Sequence, residues 1–319
     1  LPDNAGRNNS TSSEIGKVIK SGIEDLRIFL GVKSGIVALG ESTTANVFRT
    51  LTPVVMNVPG TNIVTTDLDH PAVYDATRVL AERLNKEWRC ASLSPDKGIV
   101  EPESILECID SDTIILALIH SSNNLGTRND VKTIIKEARK IKPDLFVLVD
   151  GAQNSSHSLI DVEDLGCDIY TVSSYKTYSK IGASAFYLSE RASKLSHDKL
   201  IGHDNSCWEL GTREQAGYAA WSEVIKYLCW LGSCFSDSEN RRELIIKAME
   251  KIRLYELAII SQMLYGNADT PGMLSIKNVE VMGETKNLKI KDPVFLFSIK
   301  GKSSAEVVSA FERENIRVN

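Results

Sequence analysis

The chain has 319 residues, enough at roughly 150 per domain for about two domains and a sizeable buried core. Hydrophobic residues make up 42% and charged residues 25%, the balance of a folded globular protein, which excludes general disorder. With 37 Lys and Arg against 42 Asp and Glu, the formal charge is −5 and no basic run occurs. Nucleic acid and anionic membrane are therefore not expected as partners.

The longest strongly apolar run, Ile114 to Ile119, is far shorter than the ~20 residues of a bilayer-spanning helix. No charged-then-apolar leader opens the chain. Six cysteines (Cys90, Cys108, Cys167, Cys207, Cys229, Cys234) have no paired spacing, the pattern of reduced thiols in a cytoplasmic protein. The chain lacks an initiator Met and stops at Asn319 within a strand-like stretch at 315–318, so both ends are open to extension.

In chain order, Thr11 and Glu14 have capping-box spacing, and Ile15, Val18, Ile19, Ile23, Leu26 and Leu30 keep a helical stripe. Strand-like apolar runs follow at 36–39, 63–65, 113–119, 145–149, 169–172 and 185–188, with helical stretches at 71–85 and 131–141 between some of them. Continuous Val, Ile and Leu runs suit strands covered on both faces, and the alternation predicts an α/β domain with a mostly parallel central sheet. After Gly217 the pattern is helical to about Tyr265, followed by strand-like runs at 279–282 and 294–299 and a helix over 303–314. This reads as a large α/β domain over 11–230 and a smaller α+β domain over 231–319, with residues 1–10 packing on the latter. Residues 266–273, with two Gly and a Pro, are the expected flexible loop.

In open α/β sheets ligands sit at the carboxyl ends of strands, and four predicted strand ends carry reactive side chains. They are Gly40-Glu41-Ser42-Thr43-Thr44, His120 through Thr127, Asp150-Gly151-Ala152-Gln153 and Ser173-Ser174-Tyr175-Lys176. Pyridoxal phosphate accounts for the set: Lys176 can form the Schiff base and Asp150 can keep the pyridine nitrogen protonated. Ser42 and Thr43 at a helix start, with Ser173, can bind the phosphate. The first of these turns is not Gly-x-Gly-x-x-Gly, which argues against a nicotinamide dehydrogenase, and no HExxH, CxxC or Walker pattern supports a metal or nucleotide.

The ordered motifs resemble the signature of class V aminotransferases, the group that contains the cysteine desulfurases. They are Asp3-Asn4-Ala5-Gly6, Asp69-His70, Ser122 through Thr127, Val149 through Gln153, Ile160-Asp161-Val162, Asp168-Ile169-Tyr170, Ser173 through Lys176 and Trp208 through Thr212. Asp150 and Lys176 are 26 positions apart, the family's kind of spacing. The resemblance implies a homodimeric, fold type I enzyme dependent on pyridoxal 5'-phosphate and acting on an amino acid. It also implies a role for each residue. Lys176 forms the internal aldimine and moves the substrate α-proton. His70 stacks on the ring and assists proton transfer. Asn123 contacts the ring hydroxyl, Asp150 the ring nitrogen, and Gln153 the hydroxyl or the imine. Ser42, Thr43 and Ser173 hold the phosphate, and Thr212 reaches it from the other subunit.

Desulfuration of a cysteine-type substrate through a quinonoid is the reaction the likeness favours, with transamination, other β-elimination and epimerisation as alternatives, and a non-catalytic descendant after them. Tyr175 stands where many desulfurases have His, as in the family's cysteine desulfurase-like branch. In the family, the arginine for the substrate carboxylate and the persulfide-forming cysteine lie at or beyond the position of Asn319. The stretch from Gly6 to Glu14 is shorter than in the family.

Each residue also has a plain structural reading. Lys176 could be a surface charge, Asp150, His70, Ser42 and Thr43 could be helix caps, and Asn123 and Thr212 could be turn formers. Arg213 reads as a surface charge, Cys207 as a half-buried thiol, Cys167 as a packing residue and His120 as structural.

Overall fold

The computed structural model describes residues 4–94 and 98–318. Asp3, the first residue of the opening motif, lies outside the described residues. The elements of the first half are α1 (Ser10–Leu30), β1 (Ile36–Gly40), α2 (Thr43–Asn57), β2 (Asn62–Thr66), α3 (Pro71–Arg83), β3 (Glu87–Ala91), α4 (Pro102–Glu107), β4 (Thr113–Ile119) and α5 (Val131–Ile141). There follow β5 (Phe146–Asp150), α6 (Val162–Leu165), β6 (Ile169–Val172), β7 (Ser184–Leu188), α7 (Glu190–Ser193), α8 (Gln215–Ser233), α9 (Arg241–Tyr265), β8 (Val279–Met282), β9 (Leu296–Ile299) and α10 (Ser304–Arg313).

Seven strands form one sheet in the order β1-β7-β6-β5-β4-β2-β3, and β8 pairs with β9 in a separate antiparallel ladder. β7 alone in the large sheet runs antiparallel to its neighbours, so the expected mostly parallel sheet is the one found. Both faces are covered, which is why the strands read as unbroken apolar runs: every residue of β4 and β5 is buried. On one face Val147 and Val149 join Leu26, Ile134, Trp221 and Ile225, while Phe146 and Leu148 join Val47, Leu51, Val73 and Leu80 on the other. Burying these side chains supplies about 25 cal/mol per Å² of apolar surface removed from water.

Three expectations need correction. The cap of α1 is Asn9, whose side chain accepts from Ser12 N at 2.8 Å, while Thr11 and Glu14 both lie within the helix. In the stripe, Ile15, Ile19, Leu26 and Leu30 are buried but Val18 is exposed, because α8 covers the 15–19–22–26 line. The helices approach closely there: a Cβ at Gly22 would lie 2.7 Å from Tyr218 Cβ. The strand-like stretch at 315–318 pairs with no strand among the described residues, Asn315 adopting a left-handed φ of 59° directly after α10.

β3 escaped the reading of apolar runs because it is an edge strand whose first four residues are exposed or half-buried. The proposed domain division at 230/231 falls in the last turn of α8, which packs on α1 and α9. Residues 4–9 fold over the start of α1, with Ser12 Oγ donating to Asn4 O at 2.6 Å. The 266–273 turn closes through a bridge between Gly266 and Pro271. No described helix is long and apolar enough to cross a membrane.

Candidate active site

Five parallel strands, β1, β2, β4, β5 and β6, deliver their carboxyl ends to one cleft, and β7, running the other way, brings its amino end beside them. Ser42, Thr43, His70, Asn123, Asp150, Gln153, Ser173 and Lys176 all line this cleft. Pairing explains the convergence, since Ile119 stands opposite Asp150, Asp150 opposite Thr171, and Gly40 opposite Ser184.

Asp150 ends β5, and its Oδ1 accepts from Ala152 N at 2.9 Å and from Thr171 Oγ1 at 3.3 Å. Burial pushes its carboxyl above the ordinary value, opposed by the Ala152 N–H and then by His70 and Lys176. Gly151 follows because no side chain fits: a Cβ there would lie 2.2 Å from the Tyr170 ring.

Lys176 ends a short 3₁₀ turn after β6 and donates from Nζ to Gln153 Oε1 at 3.3 Å. Burial pushes its ammonium below the ordinary lysine value, and the Asp150 carboxylate pulls it back up. A larger share of this amine is therefore neutral, and so nucleophilic, than of an exposed lysine.

His70 is the N-cap of α3, with Pro71 at the first helical position and Nδ1 accepting from Ala72 N at 3.0 Å. The cap reading is thus correct, yet it does not compete with a place in the cleft. Using Nδ1 as acceptor leaves the proton of the neutral ring on Nε2. Burial pushes His70 below the usual histidine value, with Asp150 opposing. Before it, Asp69 pins the turn: Oδ2 accepts from Thr65 Oγ1 at 2.7 Å and Thr66 N at 2.8 Å, and Oδ1 from Ile119 N.

Ser42 is likewise both cap and wall, its Oγ accepting from Ala45 N at 3.1 Å at the start of the 15-residue α2. Thr43 Oγ1 is buried on the cleft wall without a hydrogen-bond partner, an arrangement costly unless a ligand atom completes it. Ser173 is buried, and Asn123 is half-buried with Nδ2 donating to Asn124 Oδ1 at 3.0 Å.

Thr212 is exposed and does not line the cleft of its own chain. Arg213 pairs with Glu209 at 2.6 Å, and none of the six cysteines, all free of disulfides, lines the cleft. His120 hydrogen-bonds Tyr170 Oη at 2.9 Å, and burial lowers its pKa to about 4. His197 stacks on Trp208 with ring centroids 3.8 Å apart. Among the described residues no cluster of His, Cys, Asp or Glu is built to hold a metal.

The sequence reading missed Thr171, which orients Asp150, and Ile181, Gly182 and Ser184, which close the cleft. Thr171 sits inside an apolar run and gives no signal until the register is known. The other three need the reversed direction of β7.

The class V aminotransferase family model matches residues 4–319. Among curated proteins, an aminotransferase-like protein, FGM3, of Gibberella zeae is 28% identical over 320 residues, covering 95% of this chain and 74% of its own length. A cysteine desulfurase of Salmonella dublin is 37% identical over 131 residues, 41% of this chain and 32% of that protein, so the match spans about a third of the relative. In fold, the chain is similar to the apo cysteine desulfurase of Thermococcus onnurineus NA1, with a TM-score of 0.82 at 18% identity over 100% of this chain and 77% of that one. The architecture is fold type I α/β, and the chain belongs to the class V aminotransferase family, a family of pyridoxal-phosphate-dependent enzymes.

Proposed function

We propose that the chain binds pyridoxal phosphate covalently through Lys176 and uses it to cleave the C–S bond of a cysteine-type amino acid. The observation that carries the cofactor assignment is one juxtaposition. A half-buried lysine amine bonded to Gln153, a buried carboxylate and a buried hydroxyl lacking a partner share one cleft at the strand ends. The donor set suits the cofactor: a carbonyl for Lys176, a ring nitrogen for Asp150 and a phosphate for Thr43, Ser42, Ser173 and the first N–H groups of α2. When bound, pyridoxal phosphate supplies a carbonyl for amines and a protonated ring able to accept a carbanion's electron pair.

The rest is the work of the chain's own residues. Lys176 would hold the cofactor's carbonyl and, once free, would take the proton from the substrate α-carbon and return it. Gln153 steadies its Nζ, and Asp150 holds the proton on the ring nitrogen. His70, its Nδ1 fixed by the Ala72 N–H, would stack on the ring and assist proton transfer through Nε2–H. Asn123 contacts the ring hydroxyl. Thr212, exposed on its own chain, reaches the phosphate of a second copy, which makes a homodimer the working unit.

The likeness to two cysteine desulfurases supports the C–S reading. The match to the aminotransferase-like protein over 95% of the chain keeps transamination as the second reading. Borohydride reduction of the cofactor-loaded protein should leave a phosphopyridoxyl mass on Lys176, and Lys176→Ala should lose both that mass and turnover. Retained turnover by this variant overturns the assignment. A screen of amino acids then separates the reactions. Dithiothreitol is added to accept the sulfane sulfur and release it as sulfide while itself being oxidised. Alanine with sulfide then marks desulfuration, the keto acid of the intact substrate marks transamination, pyruvate with ammonia and sulfide marks β-elimination of cysteine, and an inverted α-carbon marks epimerisation. No product with any of them marks a non-catalytic protein.

A further inference from the structure

We infer that His157, held by Glu256 of α9, is a positioning residue that fixes which end of the Gln153 amide faces Lys176. Three contacts run in series from the cleft into the protein. Lys176 Nζ donates to Gln153 Oε1 at 3.3 Å, Gln153 Nε2 lies 3.2 Å from His157 Nε2, and His157 Nδ1 lies 2.6 Å from Glu256 Oε1.

The polarity of this series is set from its far end. A carboxylate offers only acceptors, so His157 must carry its proton on Nδ1 to bond Glu256. With that as its single proton, the ring has only a lone pair on Nε2, which accepts the N–H of Gln153. That turns the carbonyl oxygen of Gln153, and not its NH2, toward Lys176. Without such a partner the two ends of an amide are nearly isosteric, and its orientation is undetermined.

Glu256 is placed to hold the imidazole. It is 9% exposed on the face of α9 that also buries Leu244, Ile245, Ala248, Met249, Ile260 and Leu264. A buried carboxylate is costly unless paired: Arg253 Nη1 lies 3.9 Å from Oε2 but closer, at 3.4 Å, to Asp292 Oδ1, while Oε1 is taken by His157. The side chains of His157 and Glu256 keep only 15% and 12% exposure, so water does not substitute freely for either. The charged and titratable groups around the series are Asp150, His70 and Tyr175 at the Lys176 end, with Arg253 and Tyr178 beside Glu256.

The inference rests on reading Lys176 as the reactive amine but not on cofactor binding, so its test uses the full chain prepared without cofactor. Acetylation of Lys176 by acetic anhydride, followed by peptide mass spectrometry against pH, gives the midpoint of its titration. Gln153→Ala removes the carbonyl that stabilises the ammonium and should lower this midpoint by about half a unit to one unit. His157→Ala should move it in the same direction by up to that amount, and the double variant should match Gln153→Ala alone. Glu256→Gln, which frees the imidazole tautomer with little change of shape, should give a smaller downward shift and serves where His157→Ala does not fold. His157→Gln, which can accept from Gln153 and donate to Glu256, should restore part of the shift. A midpoint unmoved by Gln153→Ala, or by both His157→Ala and Glu256→Gln, overturns the inference. So does a double variant that shifts by the sum of the two single effects.

Discussion

Asp150 Oδ1 lies 3.3 Å from Thr171 Oγ1, its opposite number across the parallel pairing of β5 and β6. The pairing thus sets both the carboxylate and the hydroxyl that aims it. Asp150→Ala is expected to keep part of the cofactor affinity and to lose at least about 100-fold in kcat/KM, the scale of an interaction that develops in the transition state. Thr171→Val removes only the aim and should lose about tenfold or less. Steady-state kinetics with titrated cofactor checks both, and a near-wild-type rate for Asp150→Ala excludes its role.

Thr43 offers a test that separates binding from folding. Its Oγ1 is buried without a partner, so Thr43→Val should leave the cofactor-free protein as stable as before or more so, by up to about 1 kcal/mol. A hydrogen bond to a charged phosphate is worth about 1.5–3 kcal/mol, so affinity for pyridoxal phosphate should fall roughly 10- to 100-fold. Thermal unfolding and fluorescence titration measure the two. Equal affinity in the two proteins removes Thr43 from the phosphate site.

Gly151 carries a stability prediction. With a Cβ 2.2 Å from Tyr170 Oη, Gly151→Ala forces a buried ring to move, and Tyr170 also holds His120. Overpacking of this kind costs about 1–3 kcal/mol, to be read from urea unfolding. An unchanged midpoint contradicts the packing described.

Asp69 gives a pH dependence with a definite sign. Burial pushes its carboxyl up to about 7, against the bonds from Thr65, Thr66 and Ile119, whereas an unfolded Asp titrates near 3.9. The folded state binds this proton more tightly. Its contribution is fully present below about pH 4 and is lost as pH rises through about 7. The stability of the wild type relative to Asp69→Asn should therefore fall by roughly 3–4 kcal/mol from about pH 4 to about pH 8. A difference that stays flat over that range refutes the shift.

Much of the site was legible in the sequence because strand ends are where short-range patterns meet chemistry. Continuous apolar runs located β4 and β6, and the polar residues after such runs supplied Lys176, Asp150, Asn123 and Ser42. The alternative readings of Ser42 and His70 as caps proved compatible with a place in the cleft, since one ring nitrogen or one lone pair caps the helix and leaves the rest of the side chain facing the opening.

Local pattern fixed most of the strands of the large sheet and the residues that follow them, because burial on two faces writes itself into consecutive side chains; it missed the half-exposed edge strand β3 and misread 315–318. It carried no information on strand direction or on partners far along the chain. The antiparallel course of β7, which brings Ser184 opposite Gly40, and the meeting of His157 with Glu256 across 99 positions follow from how the helices cover the sheet. Those contacts exist only once the chain has closed on itself, because hydrogen bonding between distant segments leaves no periodic trace in either one.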